Sequence, residues 1–487
     1  MPGIPCQCAS LVTAANGVTT QPRDGNDQRA ARGDLMSFWT LVRVMRSARS
    51  QERSAHWTRP QLEAHQAKRL SELRRFVQER SPFYRRFHAG YESRSLAELP
   101  ILSKATLMEC FDDVVTDRTL KLAALEEYLA QPAADAPLFR NRYTVLATSG
   151  STGRRGVFVF DWREWIGAMG LIVRPVMWQQ SADRFRPARA AIIASATTFH
   201  YSARVGMTLS TRLRPTLRID AGTPLEDIIR ALNDWQPAAL ACYPSVLREL
   251  SEAQISGRLH IGLRHIAASA ELLTENVRSR VREAWGVPVR DTYGATEYAP
   301  IASECAHGNR HLFEDGAIIE VVDERGRPVP EGEPGERVLL TVLARRVQPL
   351  IRYELSDVLR VRSPGCACGR PFRIVESIEG RIEDMLLFQR SGGGEITVHP
   401  NVIHEILETV PATSWQMIQL SDALVVNLVG MRDPRALDKL RADLQRALES
   451  RGAHVPTLLL REVGRLERGA TGKAPLIWRR AGTRAPT

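Results

Sequence analysis

Residues 148–156 read Thr-Ser-Gly-Ser-Thr-Gly-Arg-Arg-Gly. An apolar run precedes them, Tyr143 to Ala147, and a second one follows, Val157 to Phe160. Glycines interspersed with hydroxyl residues between two strand-like runs predict a tight turn whose N–H groups and hydroxyls can converge on an anion. The spacing is not the G-x-x-x-x-G-K-[ST] of a Walker loop, so the stretch indicates a phosphate loop of another kind. Ser/Thr/Gly-rich hairpins without a ligand are the alternative.

The composition is that of a globular protein with more than one domain. The chain has 487 residues, of which 44% are hydrophobic and 25% charged, so we expect two or three domains. The net charge of +11 is dispersed along the chain, which disfavours nucleic-acid binding. No apolar run reaches the length of a membrane span. Seven cysteines and no apparent secretory signal predict a cytoplasmic location.

The chain divides by pattern into three parts. Residues 1–34 lack periodicity and are expected to be a disordered extension. Between the glycine loop and about residue 300, helical patterns alternate with short apolar runs such as Ala190–Ala194, which is typical of an α/β domain. From Gly380 the pattern changes to a small α+β segment. The predicted fold class is therefore α/β, with a large multi-sheet N-terminal domain at 35–382 and a small α+β C-terminal domain at 383–487.

A second segment with chemical character is residues 291–297, Asp-Thr-Tyr-Gly-Ala-Thr-Glu, which follows a strand-like run at 287–289. Ligands of α/β sheets bind at the carboxyl ends of the strands. Tyr293 can stack there on a base, and Glu297 can hold Mg²⁺ on phosphates. An ordinary turn capped by Thr296 is the alternative interpretation.

Three further segments carry candidate ligand groups: residues 353–357, 379–384 and 468–473. The carboxylate of Asp357 can accept both hydroxyls of a cis-diol such as ribose. Arg381 offers a planar fork of donors, and Lys473 a mobile ammonium on a Gly-rich turn. Taken singly, each of these residues is more typical of a surface ion pair or a solvated tail.

Together the five segments resemble the motif series of adenylate-forming enzymes, which include acyl-CoA synthetases, peptide-synthetase adenylation domains and luciferases. The resemblance covers about residues 60–480. The stretches Ser81–Tyr84, Leu99–Lys104 and Cys366–Arg370 look like the phenylacetate-CoA ligase branch. The resemblance implies ATP-dependent activation of a small-molecule carboxylic acid, aryl or arylalkyl in this branch, as acyl-AMP with release of pyrophosphate. Transfer to the thiol of CoA or of a carrier-protein phosphopantetheine arm would follow.

The same resemblance assigns roles to residues. The loop would cover the ATP phosphates with Thr148, Ser149, Gly150, Ser151, Thr152 and Gly153. Tyr293 would line the adenine pocket with Gly294 beside it, and Asp357 would bind the ribose hydroxyls. Thr296 and Glu297 would contact phosphate and Mg²⁺.

The catalytic set implied by the resemblance is completed near the end of the chain. Arg381 would sit just before a hinge at Glu383, and Lys473 would bridge the substrate carboxylate and the α-phosphate. Two departures from the family pattern stand out. Many members end the first loop with a lysine where this chain has Arg154 and Arg155, and members carry Asp or Lys at the hinge. Lys104 is interpreted as a solvated residue of a first helical turn.

A candidate metal site follows the second segment. Cys305, His307 and His311 lie there, and the pair Cys366 and Cys368 comes about sixty residues later. Three thiolates and one imidazole satisfy tetrahedral zinc, and some members of the branch resemble this pattern. We therefore predict a structural Zn²⁺ on Cys305, His311, Cys366 and Cys368, with His307 as the alternative imidazole. Reduced cysteines near a loop are the other interpretation.

Two other functions compete at this point. An adenylating enzyme could use an amine, a hydroxyl or an inorganic nucleophile as acceptor. A zinc-stabilised nucleic-acid-binding protein would explain the charge but leaves the nucleotide motifs unexplained. The chain is expected to be a monomer or homodimer, with an acyl carrier protein as a possible partner. Residues 199–201 and 269–271 occupy positions that border the acyl site in the family, with Trp178 as a further candidate. Packing in the core explains the aromatic residues there equally well.

Overall fold

The computed structural model describes most of the chain. The described residues are 27–131, 138–148, 155–178, 189–195, 197–211, 214–381, 386–390, 393–398, 402–403, 406–407, 409–454, 457–469 and 474–480. The first helix begins at Asp27, so residues 27–34, which were expected to belong to the extension, are helical. Residues 1–26 lie outside the described part.

The helices have local starting signals in the sequence. Thr58 caps the second helix in a capping box with Gln61, and Ser81 ends that helix and caps the next, whose first residue is Pro82. The helices are α1 Asp27–Glu52, α2 Arg59–Arg80, α3 Pro82–Phe87, α4 Lys104–Glu109, α5 Phe111–Val114, α6 Leu122–Ala130, α7 Trp162–Met177, α8 Tyr201–Leu209, α9 Leu225–Trp235, α10 Pro244–Ile255, α11 Glu275–Trp285 and α12 Ala436–Glu449.

A nine-stranded mixed sheet organises the large domain, in the order β13-β14-β9-β8-β7-β6-β5-β3-β4. Its strands are β3 Ala190–Ala194, β4 Thr216–Asp220, β5 Ala239–Cys242, β6 His265–Ser269, β7 Val289–Ala295, β8 Ala299–Glu304, β9 Arg310–Leu312, β13 Asp357–Arg362 and β14 Ile374–Arg381. Strands β3 to β7 pair in parallel and are linked by α8 to α11, whereas β7 to β9, β13 and β14 pair antiparallel. The alternation in the sequence predicted the parallel half.

Four smaller sheets accompany it. Strands β1 Thr144–Ala147 and β2 Val157–Phe160 form a hairpin, and β10 Ala317–Val322, β11 Arg337–Val342 and β12 Tyr353–Leu355 form a three-stranded sheet. Strands β15 Leu386–Gln389 and β16 Glu395–Val398 pair with each other. The last sheet has the order β19-β18-β17-β20 and contains β17 Ala412–Gln419, β18 Ala423–Met431, β19 Thr457–Glu462 and β20 Ile477–Arg479.

The buried side chains separate the C-terminal part from the rest. Among the described residues, two large apolar clusters fill the region up to β14. A third cluster joins β15 to β18 with α12 and contains only residues from Leu386 onwards. The predicted α/β class with a small α+β C-terminal unit agrees with this arrangement. In the described ranges, no helix combines the length and the apolar character needed to cross a bilayer.

Candidate active site

The glycine loop connects the two paired strands β1 and β2. Ala147 pairs with Val157, and the base of the loop is closed by two hydrogen bonds. The N–H of Thr148 donates to the carbonyl of Gly156 at 2.9 Å, and the N–H of Gly156 donates to Thr148 Oγ1 at 2.8 Å. The predicted flanking strands are therefore present. Residues 149–154 lie outside the described part, so the proposed phosphate contacts of Ser149, Gly150, Ser151, Thr152 and Gly153 stay predictions.

Lys104 lies against the base of this loop. A Cβ added at Gly156 would meet Lys104 Cε at 3.1 Å and Phe158 Cε2 at 2.9 Å, so a larger residue there would require these side chains to shift. Lys104 is half-buried. The sequence interpretation of a solvated first-turn lysine therefore missed its location. The glycine loop ends without a lysine of its own. The ammonium group of Lys104 is therefore a candidate ligand for the phosphates.

The second and third segments meet through two buried hydrogen bonds. Tyr293 Oη donates to Asp357 Oδ2 at 2.7 Å. Tyr353 Oη donates to Glu297 Oε1 at 3.3 Å. All four side chains are buried. The two bonds bring the turn at the end of β7 and the segment between β12 and β13 together, as a common nucleotide site requires.

Tyr353 joins the candidate site through this hydrogen bond, although the sequence interpretation left it without a role. Burial, followed by the charge of Glu297, raises the pKa of Tyr353 well above its usual value. The hydroxyl therefore stays protonated at neutral pH and acts as a donor. It fixes one oxygen of the Glu297 carboxylate.

Arg345 supports the turn that carries Glu297 through buried hydrogen bonds. Its guanidinium is fully buried and donates to the carbonyl of Glu297, to the carbonyl of Val159 at 2.9 Å and to Gln348 Oε1 at 3.0 Å. Burial lowers the pKa of Arg345 to about 10, so it remains a cation at neutral pH. Because Val159 lies on β2, this arginine links the strand that leaves the glycine loop to the turn that carries Glu297.

The pairing of β13 with β14 locates the backbone of Arg381. Its backbone ends β14 and pairs with Asp357 at the start of β13, whereas its side chain is outside the described part. Gly294 follows Tyr293 on β7, and Thr296 lies beside Glu297 in the turn after that strand. The backbone of Arg381 is therefore next to the candidate ribose ligand.

Lys473 and the predicted hinge residue Glu383 are also outside the described residues. The residue after Lys473 is described, however. The N–H of Ala474 donates to Glu271 Oε1 at 2.8 Å, and Glu271 follows the carboxyl end of β6. This end of the parallel sheet is where nucleotide and substrate sites of α/β folds lie.

The four predicted zinc ligands converge. One ligand atom from each of Cys305, His311, Cys366 and Cys368 lies within 4.8 Å of the others. Cys305 Sγ and Cys366 Sγ are 3.6 Å apart, and Cys368 Sγ is 3.2 Å from His311 Nε2. Two sulfurs bonded to one zinc at about 2.3 Å and a tetrahedral angle lie roughly 3.8 Å apart. These two distances are close to the separation expected between two ligands of one tetrahedral zinc.

The hydrogen bond and the burial of the His311 ring favour His311 over His307 as the imidazole of this cluster. His311 Nδ1 lies 3.3 Å from the carbonyl of Phe372, which suits an N–H donor and leaves Nε2 as the ligand atom. Burial lowers the pKa of His311 to about 4, so its ring is neutral at neutral pH. His307 instead donates its backbone N–H to Cys305 Sγ at 3.3 Å.

A comparison with known families identifies the chain. The profile of the AMP-binding enzyme family matches residues 88–341, just over half of the 487 residues. The chain belongs to the AMP-binding enzyme family. The matched range contains the glycine loop and the turn of Tyr293 and Glu297.

Similarity to individual proteins agrees with this family assignment. This AMP-binding enzyme is 27% identical over 380 residues to a phenylacetate-coenzyme A ligase of Thermus thermophilus, covering 72% of this chain and 76% of the relative. It is also 27% identical over 210 residues to the phenylacetate-coenzyme A ligase of Aromatoleum evansii, covering 41% and 45%. The predicted resemblance to the phenylacetate-CoA ligase branch of adenylate-forming enzymes is confirmed.

Solved structures share the fold. A 2-hydroxyisobutyryl-CoA ligase in the postadenylation state, in complex with R3-HIB-AMP, superposes with a TM-score of 0.66 at 21% identity, covering 88% of this AMP-binding enzyme and 91% of that chain. The same ligase in complex with 2-HIB-AMP and CoA in the thioesterification state gives 0.54 at 19% identity, with the same coverage. The predicted fold class is thereby confirmed.

Proposed function

We propose that this AMP-binding enzyme activates a carboxylic acid with ATP as an acyl-adenylate, releases pyrophosphate, and transfers the acyl group to the thiol of CoA. The observation that carries the proposal is the pair of buried bonds from Tyr293 to Asp357 and from Tyr353 to Glu297. They join motifs that are 64 and 56 residues apart. The names of the ligase relatives support CoA as the acceptor.

The first step is an in-line displacement at phosphorus. A carboxylate oxygen of the acid forms a bond to the α-phosphorus of ATP, and the bond from that phosphorus to the pyrophosphate oxygen breaks, so that pyrophosphate leaves with the electron pair. Negative charge rearranges over the phosphate oxygens, and the task of the protein is positioning and electrostatic stabilisation. We assign Asp357 to the ribose hydroxyls and Lys473 to the substrate carboxylate and α-phosphate. The loop at 148–156 is assigned to the phosphates.

The carboxylate of Glu297 fits a hard divalent cation. It is buried, one oxygen is oriented by Tyr353, and carboxylate oxygens are the ligands that Mg²⁺ prefers. A bound Mg²⁺ would neutralise charge on the phosphates. Arg345 holds the carbonyl of the same residue, so the backbone of Glu297 is fixed independently of the cation.

In the second step the thiol sulfur bonds to the acyl carbon, the bond from that carbon to the oxygen of AMP breaks, and the thiol proton passes to solvent. We propose that the small domain turns about Glu383 between the two steps, with the domain boundary at about residue 382. Motions of this kind commonly gate multistep enzymes. A carrier-protein thiol is the alternative acceptor within the same chemistry.

The acid is proposed to be aryl or arylalkyl. The segment that the family resemblance places beside the acyl site carries aromatic rings in the core: Phe199 packs edge-on against Tyr128 at 5.3 Å between ring centroids, and Tyr201 packs against Trp165 at 5.7 Å. The proposal for the acid therefore rests on the relatives named phenylacetate-coenzyme A ligases.

Pyrophosphate exchange with a panel of carboxylic acids tests the proposal. We expect acid-dependent exchange of labelled pyrophosphate into ATP, with aryl and arylalkyl acids the best substrates and acyl-CoA formed when CoA is added. Chromatography of the products with and without CoA, a carrier protein or hydroxylamine separates the acceptors. Absence of acid-dependent exchange over the whole panel would overturn the proposed function.

Replacing Asp357 with asparagine should raise the KM for ATP about tenfold or more, because a charged acceptor of the ribose hydroxyls contributes roughly 1.5–3 kcal/mol. The change keeps the size of the side chain and the Tyr293 contact. Initial rates of exchange at varied ATP concentrations measure it. Asp438→Asn, at an exposed position of α12, is the matched control and should leave the KM unchanged. An unchanged KM in the Asp357 variant would contradict the ribose assignment.

We also propose that Cys305, His311, Cys366 and Cys368 hold one structural Zn²⁺. The donor set fits zinc, and the cluster joins Cys305 in the turn after β8 and His311 on β9 to the loop between β13 and β14. Free thiols at these positions and the use of ATP and CoA suit a reducing compartment, which supports the proposed cytoplasmic location.

A further inference from the structure

The tail segment, defined as residues 467–469 and 474–476, is anchored on the small domain by one side chain. Gln416, fully buried on β17, donates from Nε2 to the carbonyls of Glu467 and Pro475, each at 2.9 Å. Its Oε1 accepts the N–H of Glu467 at 3.1 Å. The residues on both sides of the stretch that contains Lys473 are therefore tied to the same strand.

The other face of the tail segment contacts the large domain through an ion pair. Arg468 Nη2 lies 2.9 Å from Glu249 Oε1 on α10, and Arg468 Nη1 lies 3.5 Å from Ser245 Oγ. The two charged side chains are only 9% and 18% exposed. Solvent screens such a pair much less than the exposed ion pairs elsewhere on the surface.

Glu271 provides a second contact across the same interface. Its Oε2 accepts the N–H of Ser245 at 2.9 Å, and its Oε1 accepts the Ser245 hydroxyl at 3.1 Å and the N–H of Ala474 at 2.8 Å. The preceding residue, Ala270, has a φ of +71°, a conformation that an alanine adopts only when its surroundings enforce it. This backbone turn comes directly before the carboxylate that receives the tail segment.

We propose that Arg468, Glu249 and Glu271 are positioning residues that act in adenylation and not in thioester formation. They dock the tail segment, and with it the residue next to Lys473, at the carboxyl end of the parallel sheet while acyl-AMP forms. The contacts separate when the small domain turns for the second step. This inference rests on the two-step function proposed above and adds the groups that select the orientation for the first step.

Two half-reactions and a charge exchange test the inference. Arg468→Glu and Glu249→Arg should each lower the maximal rate of pyrophosphate exchange about 10- to 100-fold, because like charges then face each other. Single-turnover thioester formation from supplied acyl-AMP and CoA should stay within about twofold of the wild type. The double variant Arg468→Glu/Glu249→Arg should exchange pyrophosphate at least ten times faster than either single variant. Arg480→Ala, whose ion pair with Glu467 lies within the small domain, is the control and should change neither half-reaction.

Hydrogen exchange of the free enzyme gives a readout that does not depend on the acid. The amides of Ser245 and Ala474 both donate to Glu271, so peptides covering them should exchange faster in Arg468→Glu and recover protection in the double variant. Equal losses in both half-reactions, unchanged pyrophosphate exchange, or unchanged amide protection would each overturn the inference. Wild-type enzyme that lacks exchange activity with every acid, yet shows the coupled amide protection, would refute the proposed function and leave the docking contacts standing.

Discussion

Lys473→Ala is expected to lower the rate of pyrophosphate exchange about 100-fold or more, which corresponds to roughly 2.7 kcal/mol of lost transition-state stabilisation. An ammonium that bridges the attacking carboxylate and the α-phosphate acts where charge moves during the displacement. The groups assigned to adenosine and to the cation, Asp357, Tyr293 and Glu297, all belong to the large domain. Binding of ATP should therefore change little, and equilibrium titration with ATP measures this separately from the rate.

The matched control for this lysine is Lys439→Ala. Lys439 is one of the other four lysines of the chain and lies exposed on α12 of the same small domain. Its variant should retain full exchange activity. The Lys473 variant should also convert supplied acyl-AMP and CoA to the thioester at nearly the wild-type rate. A Lys473 variant that keeps normal exchange, or one that loses ATP binding in proportion to rate, would contradict the role.

Local signals in the sequence predicted those parts of the site whose structure is decided locally. The runs before and after the glycine loop are β-branched or apolar and the loop itself is rich in glycine, so a hairpin follows from turn chemistry alone. The alternation of short apolar runs with helical patterns predicted the parallel half of the large sheet. The convergence of Cys305, His311, Cys366 and Cys368 could be predicted as well, because few residue types bind zinc and three thiolates with one imidazole satisfy its tetrahedral coordination.

Contacts between distant segments were not predictable in the same way. Tyr353 lies in a segment that the sequence interpretation had singled out, but its bond to Glu297 depends on how β12 packs beneath the turn after β7. Arg345 sits in a stretch with no motif, and only the tertiary structure brings it between Val159 and Glu297. Its sequence signal was the pair Arg345 and Arg346 next to the apolar run of β11, since charged side chains are rarely buried unless they are paired.

The location of Lys104 was missed for a related reason. In sequence it reads as the first residue of a helix capped by Ser103, and that reading is correct locally. The orientation of the short helix relative to the hairpin places its side chain against Gly156. The scarcity of lysine in this chain was the available signal, since arginine occupies most of the other cationic positions.

The zinc cluster carries the second large expected effect. Protein purified without a histidine tag should contain about one zinc per chain, and Cys368→Ser or His311→Ala should lose it. Since structural zinc stabilises the folded state directly, we expect each variant to lose several kcal/mol of stability, with a fall in Tm on the order of 10 °C. Metal analysis by mass spectrometry and a thermal unfolding scan measure the two effects.

Two variants separate metal binding from general damage. His307→Ala should keep its zinc, because the contact of His307 with the cluster is made by its backbone N–H rather than by its ring. Cys110→Ser replaces a thiol outside the cluster and should keep both metal and stability. Zinc-free wild-type protein whose cluster thiols all titrate in the folded state would exclude the site. The cluster lies at the end of β8 and before the start of β14, and it includes neither Glu297 nor Asp357. Loss of zinc should therefore lower the stability first, and the rate of pyrophosphate exchange should fall only in proportion to the unfolded fraction.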